Sequence, residues 1–283
     1  MMKNKLTTSR SLIVCLILFI GLFAYPCFNG IAQTSSITII QVTDPQFGFF
    51  DKNENFEKET VLYTKAVEQI NAIGPDFVVI TGDFVNNPRD MDQISEFKRI
   101  TAQINKDIPV YLSPGNHDLG ESPAKKDFLF YYSNYGSGKD RFSFRHKNAS
   151  FIGFNSVIIK SDKNEKEEKE QLRWLKRQLK KARSSGTIVL FTHYPFFISD
   201  FNEKESYSNQ TPAKRVSYFN LFEKYGADAV FAGHLHNNSE AEHNGILMIT
   251  TSAAGRPLGE AKPGFRVITI HGDSLETRYQ TIE

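Results

Sequence analysis

The chain is short of sulfur and of long apolar sequence, and each shortage excludes something. It has two cysteines, Cys15 and Cys27, both within the first 32 of its 283 residues. Beyond residue 32 there is no thiol. A disulfide framework, a cysteine nucleophile and a thiolate metal site are therefore excluded there. The apolar run at residues 12–24 has 13 residues, against the ~20 that a bilayer-spanning helix needs. A large excess of one charge is missing as well. The 34 basic and 32 acidic residues leave +2, and three of the basic ones, Lys3, Lys5 and Arg10, precede the apolar run. Without residues 1–32 the balance is −1. That balance indicates neither nucleic acid nor an anionic membrane as a partner. There is no internal repeat, low-complexity tract or interdomain linker.

Residues 1–32 read as a secretory signal peptide: a basic start, a short apolar stretch, then Gly30-Ile31-Ala32 with small residues at −3 and −1. Cleavage after Ala32 leaves a mature chain that begins at Gln33 and carries no membrane segment. The competing reading is an uncleaved N-terminal anchor. Ala24-Tyr25-Pro26 before Cys27 makes a poor lipoprotein signal. Residues 33–283 are then one exported domain, periplasmic or secreted, with ample material for a core. A hydrophobic content of 40% with 23% charged residues fits an ordinary globular chain.

The hydrophobic periods predict strands at 37–42, 77–80 and 110–112 separated by helices at 56–73 and 91–104. This β-α-β-α-β alternation belongs to a sheet with helices packed on it. Two adjacent strands follow at 142–144 and 151–154. The highly charged stretch 163–184 is a helix whose leucines, Leu172, Leu175 and Leu179, form the buried stripe. A strand at 188–191, an aromatic-bearing irregular loop at 196–212 and a helix at 213–225 come next. Strands at 229–232 and 246–250 and a closing hairpin, 267–270 with 275–279, complete the chain.

Five of these strands end in polar groups of one kind. Asp44 and Gln46 follow the first and Asp83 the second. Gly115-Asn116-His117-Asp118 follows the third, and His193 and the pair His234/His236 follow two later ones. Polar groups at the carboxyl ends of strands are how open α/β sheets build sites. A lone histidine after a strand is ordinarily structural, and a lone polar turn ordinarily caps a helix. Here four of seven histidines recur at strand ends among aspartates and amides. Carboxylates, amide oxygens and imidazoles without thiolate suit Mn, Fe, Zn or Mg. His146, His243 and His271 stand outside the pattern.

The order Asp-x-x, Gly-Asp, Gly-Asn-His-Asp, His-x-Pro, Gly-His-x-His resembles the calcineurin-like metallophosphoesterase superfamily, over about residues 37–283. Asp44-Pro45-Gln46-Phe47-Gly48, Gly233-His234-Leu235-His236-Asn237 and Gly264-Phe265-Arg266-Val267 are similar to its subgroup of calcineurin-like phosphoesterase domain-containing serine/threonine phosphatases. The resemblance implies an α/β fold of two mixed β-sheets packed as a sandwich and flanked by helices, a four-layer αββα arrangement. It implies two divalent metal ions, the first held by Asp44, Gln46, Asp83 and His236, the second by Asp83, Asn116, His193 and His234. It implies hydrolysis of a phosphorylated small molecule or phosphoprotein by a hydroxide bridging the metals, with His117 protonating the leaving group and Asp118 or Asn86 orienting His117. Gln46 stands where most of the superfamily has histidine. Arg256 and the loop 196–212 are candidates for substrate contact. A phosphodiesterase, nucleotidase or pyrophosphatase on the same site is the alternative, and a metal-poor binding protein with this fold is a further one.

Overall fold

A computed structural model of the chain describes residues 36–136 and 139–282, which lie in one unit, Thr34–Glu283. The expected signal peptide lies outside the described residues.

The first sheet is built from β1 (Ile37–Val42), β2 (Phe77–Thr81), β3 (Val110–Ser113), β10 (Gly264–His271) and β11 (Ser274–Thr281), in the order β11-β10-β1-β2-β3. The second contains β4 (Phe142–His146), β5 (Ala149–Gly153), β6 (Thr187–Phe191), β7 (Ala229–Ala232), β8 (Ser239–His243) and β9 (Ile246–Thr250), in the order β4-β5-β6-β7-β9-β8. β1, β2 and β3 are parallel, as are β5, β6, β7 and β9, while the hairpins β10-β11, β4-β5 and β8-β9 and the pair β1-β10 are antiparallel. The sheets are therefore mixed, as the resemblance implied.

Strand alternation sorts the core into layers. Ile37, Ile39, Phe77 and Val79 face Phe151, Val189, Phe191 and Phe231 between the sheets. Ile40, Val42, Val78 and Ile80 turn the other way, onto α1 (Glu57–Ile73) and α2 (Met91–Thr101). On the far side Ile188, Leu190 and Val230 pack under α6 (Glu165–Ala182) and α7 (Pro212–Tyr225). The result is helix, sheet, sheet, helix. In α6 Leu175 and Leu179 are buried while the lysines and glutamates stay wet, apart from Glu168, which pairs with Lys214. Among the described residues, no helix is long and apolar enough to cross a membrane.

Several elements differ from the periodic reading. Residues 116–136 contain α3 (Asn116–Leu119), α4 (Lys125–Tyr131) and a π-helical turn, Tyr132–Gly136. A four-residue helix, α5 (Val157–Lys160), follows β5. α2 ends at Thr101, three residues earlier than expected, in a tight turn with Ile104 N bonded to Thr101 O. β8 was not anticipated, because Ser239–His243 alternates without one large apolar residue and sits at a sheet edge. The loop 196–212 stays irregular but is tied down. The buried Arg215 of α7 donates to the carbonyls of Phe196, Phe201, Glu203 and Gln210. Lys160 holds the carbonyls of Ser206 and Asn209.

Candidate metal centre

The residues following β1, β2, β3, β6 and β7 meet at one rim, where the loop after β1 runs beside the loop after β2. The amides of Asp44 and Gln46 donate to the carbonyls of Gly82 and Asp83 at 3.1 and 2.9 Å. The backbone here is strained. Asp44, Gln46, Asp83, His234 and His236 have φ of 51°, 37°, 51°, 70° and 51°, a region that residues with a Cβ seldom occupy. They make up five of the nine such non-glycine residues among those described, so the strain gathers where the polar groups converge. Two glycines let the carboxylates press against the chain. A Cβ on Gly115 would meet Asp83 Oδ1 at 2.1 Å, and one on Gly233 would meet Thr43 Oγ1 at 1.8 Å and Asp44 Oδ2 at 2.6 Å.

The side chains form two groups. Donor atoms of Asp83, His193 and His234 lie within 4.8 Å of one another, and so do those of Asp44, Asp83 and His236. Asp83 belongs to both. Asn116 joins the first of these groups, its Oδ1 being 3.1 Å from His193 Nε2. Each imidazole is turned by what its other nitrogen does. His193 Nδ1 donates to Thr81 O at 2.8 Å and His236 Nδ1 to Arg256 O at 2.6 Å. Carbonyls only accept, so both Nε2 atoms face the carboxylates, 3.3 Å from Asp83 Oδ2 and Asp44 Oδ1 respectively. Thr43 and the His234 amide hold Asp44 Oδ2, and the His117 amide holds Asp83 Oδ1.

At the centre, Gln46 Oε1 and His234 Nε2 are buried without a hydrogen-bond partner, and Asp44 Oδ1 has only the ion-pair contact with His236 Nε2 at 3.3 Å. Buried polar atoms without partners are costly and rare. Burial raises the Asp83 carboxyl, but the charges of His193 and His117 outweigh it and hold Asp83 well below the usual carboxylate range. Burial raises Asp44 too, and His236 overcomes it in the same way. Burial pushes His193 down, yet the Asp83 carboxylate lifts it to about 10. His234 has the opposite fate, since burial and then the charge on His193 push it down to about 3. Without metal, a proton on His193 balances the Asp83 carboxylate, and His236, pushed down by burial, is raised above its ordinary value by Asp44. The neutral His234 keeps a lone pair exposed to the centre. Two carboxylates, two amides and three imidazoles, one carboxylate shared and the acceptors Gln46 Oε1 and His234 Nε2 unpaired, fit a pair of divalent cations.

The other candidates are placed differently from one another. His117 Nδ1 donates to the carbonyl of Asn86 at 2.9 Å, which leaves Nε2 free. Asp118 does not orient it, and that expectation is corrected. Both Asp118 oxygens are occupied by the amides of Asp83, Phe84 and Gly115, at 2.8 to 2.9 Å. Asp118 stands in the first turn of α3, where a carboxylate meets free amides, so it fixes the loops rather than the imidazole. Asn86 acts on His117 through its carbonyl, not its side chain. Arg256 is exposed, with its guanidinium over the rings of Phe49 and Phe50 at 5.5 and 5.9 Å. From the loop 196–212, Phe196 and Phe197 are buried under α7, while Tyr207 reaches the rim, its ring 4.9 Å from that of His234. The three remaining histidines stay apart: His146 bonds Asp76, His243 stacks on Phe201 and His271 is exposed.

Sequence reasoning missed several contributors. Glu121 accepts from Asn116 Nδ2, Tyr194 Oη and Tyr207 Oη. Asn116 thereby turns its oxygen toward His193. Thr43 and Phe49 also touch the centre, Phe49 with its ring 5.1 Å from that of His236. Thr43 and Phe49 flank motif residues and were visible by adjacency, whereas Glu121 carries no signal in the sequence.

A family model described as calcineurin-like phosphoesterase matches residues 37–238. The serine/threonine-protein phosphatase CPPED1 of Bos taurus is 30% identical over 262 residues, covering 86% of this chain and 83% of the bovine one. In three dimensions the chain is similar to a dimetal phosphatase from Danio rerio, with a TM-score of 0.61 at 14% identity over 87% of this chain and 99% of that one. A purple acid phosphatase from yellow lupin seeds gives a TM-score of 0.65 at 16% identity, over 87% of this chain and 52% of that one. At such identities these two likenesses speak for the fold alone.

Proposed function

The chain belongs to the calcineurin-like phosphoesterase family, and we propose that within it the protein is an exported phosphomonoesterase working with two divalent cations. It is a metal-dependent phosphoric ester hydrolase. The finer assignment is to phosphate monoesters, on a protein serine or threonine or on a small molecule. The name of the bovine relative, a serine/threonine-protein phosphatase, supports that choice. The basic start and short apolar run of residues 1–32 support export, which sets the substrate outside the cytosol.

The observation that carries the reading is Asp83. It is a carboxylate shared by two groups of donors, with unpaired acceptors left on both sides. Asp44, Gln46, Asp83 and His236 would hold one cation and Asp83, Asn116, His193 and His234 the other. Manganese, iron, zinc and magnesium all suit such donors. When bound, the two cations would supply hydroxide near neutral pH and neutralise the phosphoryl oxygens. The chain's own part is orientation and one proton. Thr81, Arg256 and Glu121 aim His193, His236 and Asn116 at the centre. His117, held through Nδ1, presents Nε2 as the acid. As the bond from phosphorus to the ester oxygen breaks, the proton on Nε2 passes to that oxygen, which leaves as an alcohol.

The test is a substrate screen on the protein reconstituted separately with each metal. Phosphomonoesters and phosphopeptides should be hydrolysed, and faster than diesters or pyrophosphates. A preference for diesters would move the assignment to a phosphodiesterase on the same donors.

A further inference from the structure

We propose that Gln93 of α2 sets which end of the Gln46 side chain meets the first cation, through a one-directional chain of amide groups. The proposal rests on the assignment of Gln46 as a ligand. An amide presents either an oxygen or a nitrogen to its surroundings, and only the oxygen can bind a metal. Something must therefore choose. The chain that chooses begins at two backbone N–H groups, which cannot reverse.

The amide of Asn87 donates to Gln93 Oε1 at 3.0 Å, and that of Asn86, bonded to Phe47 O at 2.9 Å, shares its hydrogen with the same oxygen at 3.2 Å. Gln93 is fully buried, and its oxygen must lie on that side. Its Nε2 then points away and donates to Asn53 Oδ1 at 3.0 Å. Asn53 Oδ1 accepts at the same time from Asn86 Nδ2 at 2.8 Å. That turns Asn86 Oδ1 toward Gln46, whose Nε2 donates to it at 3.2 Å. Gln46 Oε1 is left on the side away from Asn86, buried and without a donor. No link can be turned over by itself, because each flip sets oxygen against oxygen or nitrogen against nitrogen. Reversing Gln46 requires reversing every member back to Gln93, against two peptide donors.

The surroundings keep the chain in place. A Cβ on Gly48 would lie 2.5 Å from Gln93 Nε2 and 3.0 Å from Asn53 Oδ1, so the chain occupies the space a side chain would take. Asn53 has a φ of 69° and bonds its own amide to Gly48 O at 2.8 Å. Asn86 carries two tasks, since its carbonyl also holds His117 Nδ1. Gln93, Asn53 and Asn86 are positioning residues: none lies in the donor groups, and all act through Gln46 or His117.

The experiment compares substitutions that differ in polarity rather than size. Gln93→Glu keeps the shape but places an acceptor opposite Asn53 Oδ1. It reverses or breaks the chain and should weaken the first cation by about 10- to 100-fold, the range expected when a ligand loses its orienting partner. Asn53→Asp keeps an acceptor facing both neighbouring amides and should hold the first cation. Asn53→Gly accepts the positive φ, removes the link and should weaken that cation. Affinities for both cations are measured by calorimetric titration of the full chain, with Gln46→Ala alongside. The second cation should be held normally throughout, which shows that the variants fold. If Gln93→Glu fails to fold, the two Asn53 variants decide alone. Wild-type affinity for the first cation in Gln93→Glu and Asn53→Gly, with loss in Gln46→Ala, overturns the orienting chain. Retention in Gln46→Ala itself overturns the ligand assignment, and the chain with it. Equal losses in Asn53→Asp and Asn53→Gly would mean that Asn53 matters for packing only, and would also overturn the proposal.

Discussion

His117 and Asp83 do different work, and their substitution should separate. His117→Asn leaves the donor groups intact and removes the acid. The rate should fall about 10²- to 10⁴-fold on alkyl phosphates, and less on an activated aryl phosphate whose leaving group needs no proton. Steady-state kinetics on the two esters check this. Asp83→Ala removes the group common to both sets and should cost more metal than any other single change, as elemental analysis would show. A third expectation concerns protons. In the metal-free protein His193 is raised from its ordinary 6.5 to about 10. Its pairing with Asp83 stabilises that form fully below pH 6.5 and is lost as the pH climbs through 10. Metal must displace that proton. Loading at pH 7 to 8 should therefore release acid into a weakly buffered solution, and apparent metal affinity should fall as the pH is lowered. A pH-stat titration reads the release directly.

Elements carry the site by holding loops at fixed heights, and two buried or half-buried charges matter most. Arg215 in α7 satisfies four carbonyls of the loop 196–212. Arg215→Leu would strand them, at a cost of at least about 2 kcal/mol, and Tyr207 would lose its station beside His234. Limited proteolysis should cut that loop faster in the variant, with the melting temperature lowered. At β1 and the β4-β5 turn, Asp76 accepts from the Thr38 amide, His146 and Lys147, tying the two sheets together. Burial raises its carboxyl, but those three partners outweigh burial and leave it below the ordinary 3.8. The contribution is thus present above pH 3.8 and lost as pH falls through the lowered value. Asp76→Asn should cost about 1 kcal/mol at pH 7, and the difference should shrink as the pH is taken progressively below 3.8, as denaturant midpoints across that range would show. The strands were legible because their cores are continuous apolar runs, and the long helices because of period and punctuation. The short helices α3, α4 and α5 were not, being too brief for a period to register. Asp118 was misread for a related reason. The resemblance implied a partnership with His117, while the helical turn swung its carboxylate toward three amides instead.

At the scale of the whole molecule, the donors were legible because their kind and place repeat: a carboxylate, amide or imidazole after a strand, five times. What orients them was not. Gln93 and Arg256 O lie 47 and 20 positions from the residues they steer, and only the packing of separate elements brings them together, while Glu121 reaches Asn116 across the turn after α3. The left-handed backbone at Asp44, Gln46, Asp83, His234 and His236 has a consequence for how such a sequence ages. Each of these positions stores roughly 1–2 kcal/mol, and five together weigh against a whole-fold stability of about 5–15 kcal/mol. At ordinary positions an alanine variant outlasts a glycine one. Here the order should reverse, with Gln46→Gly melting above Gln46→Ala in metal-free protein. Selection for stability alone, with the chemistry no longer needed, would favour glycine or asparagine at these five positions. A relative that had given up the chemistry would then be the sturdier protein, recognisable by relaxed turns on an otherwise intact sandwich.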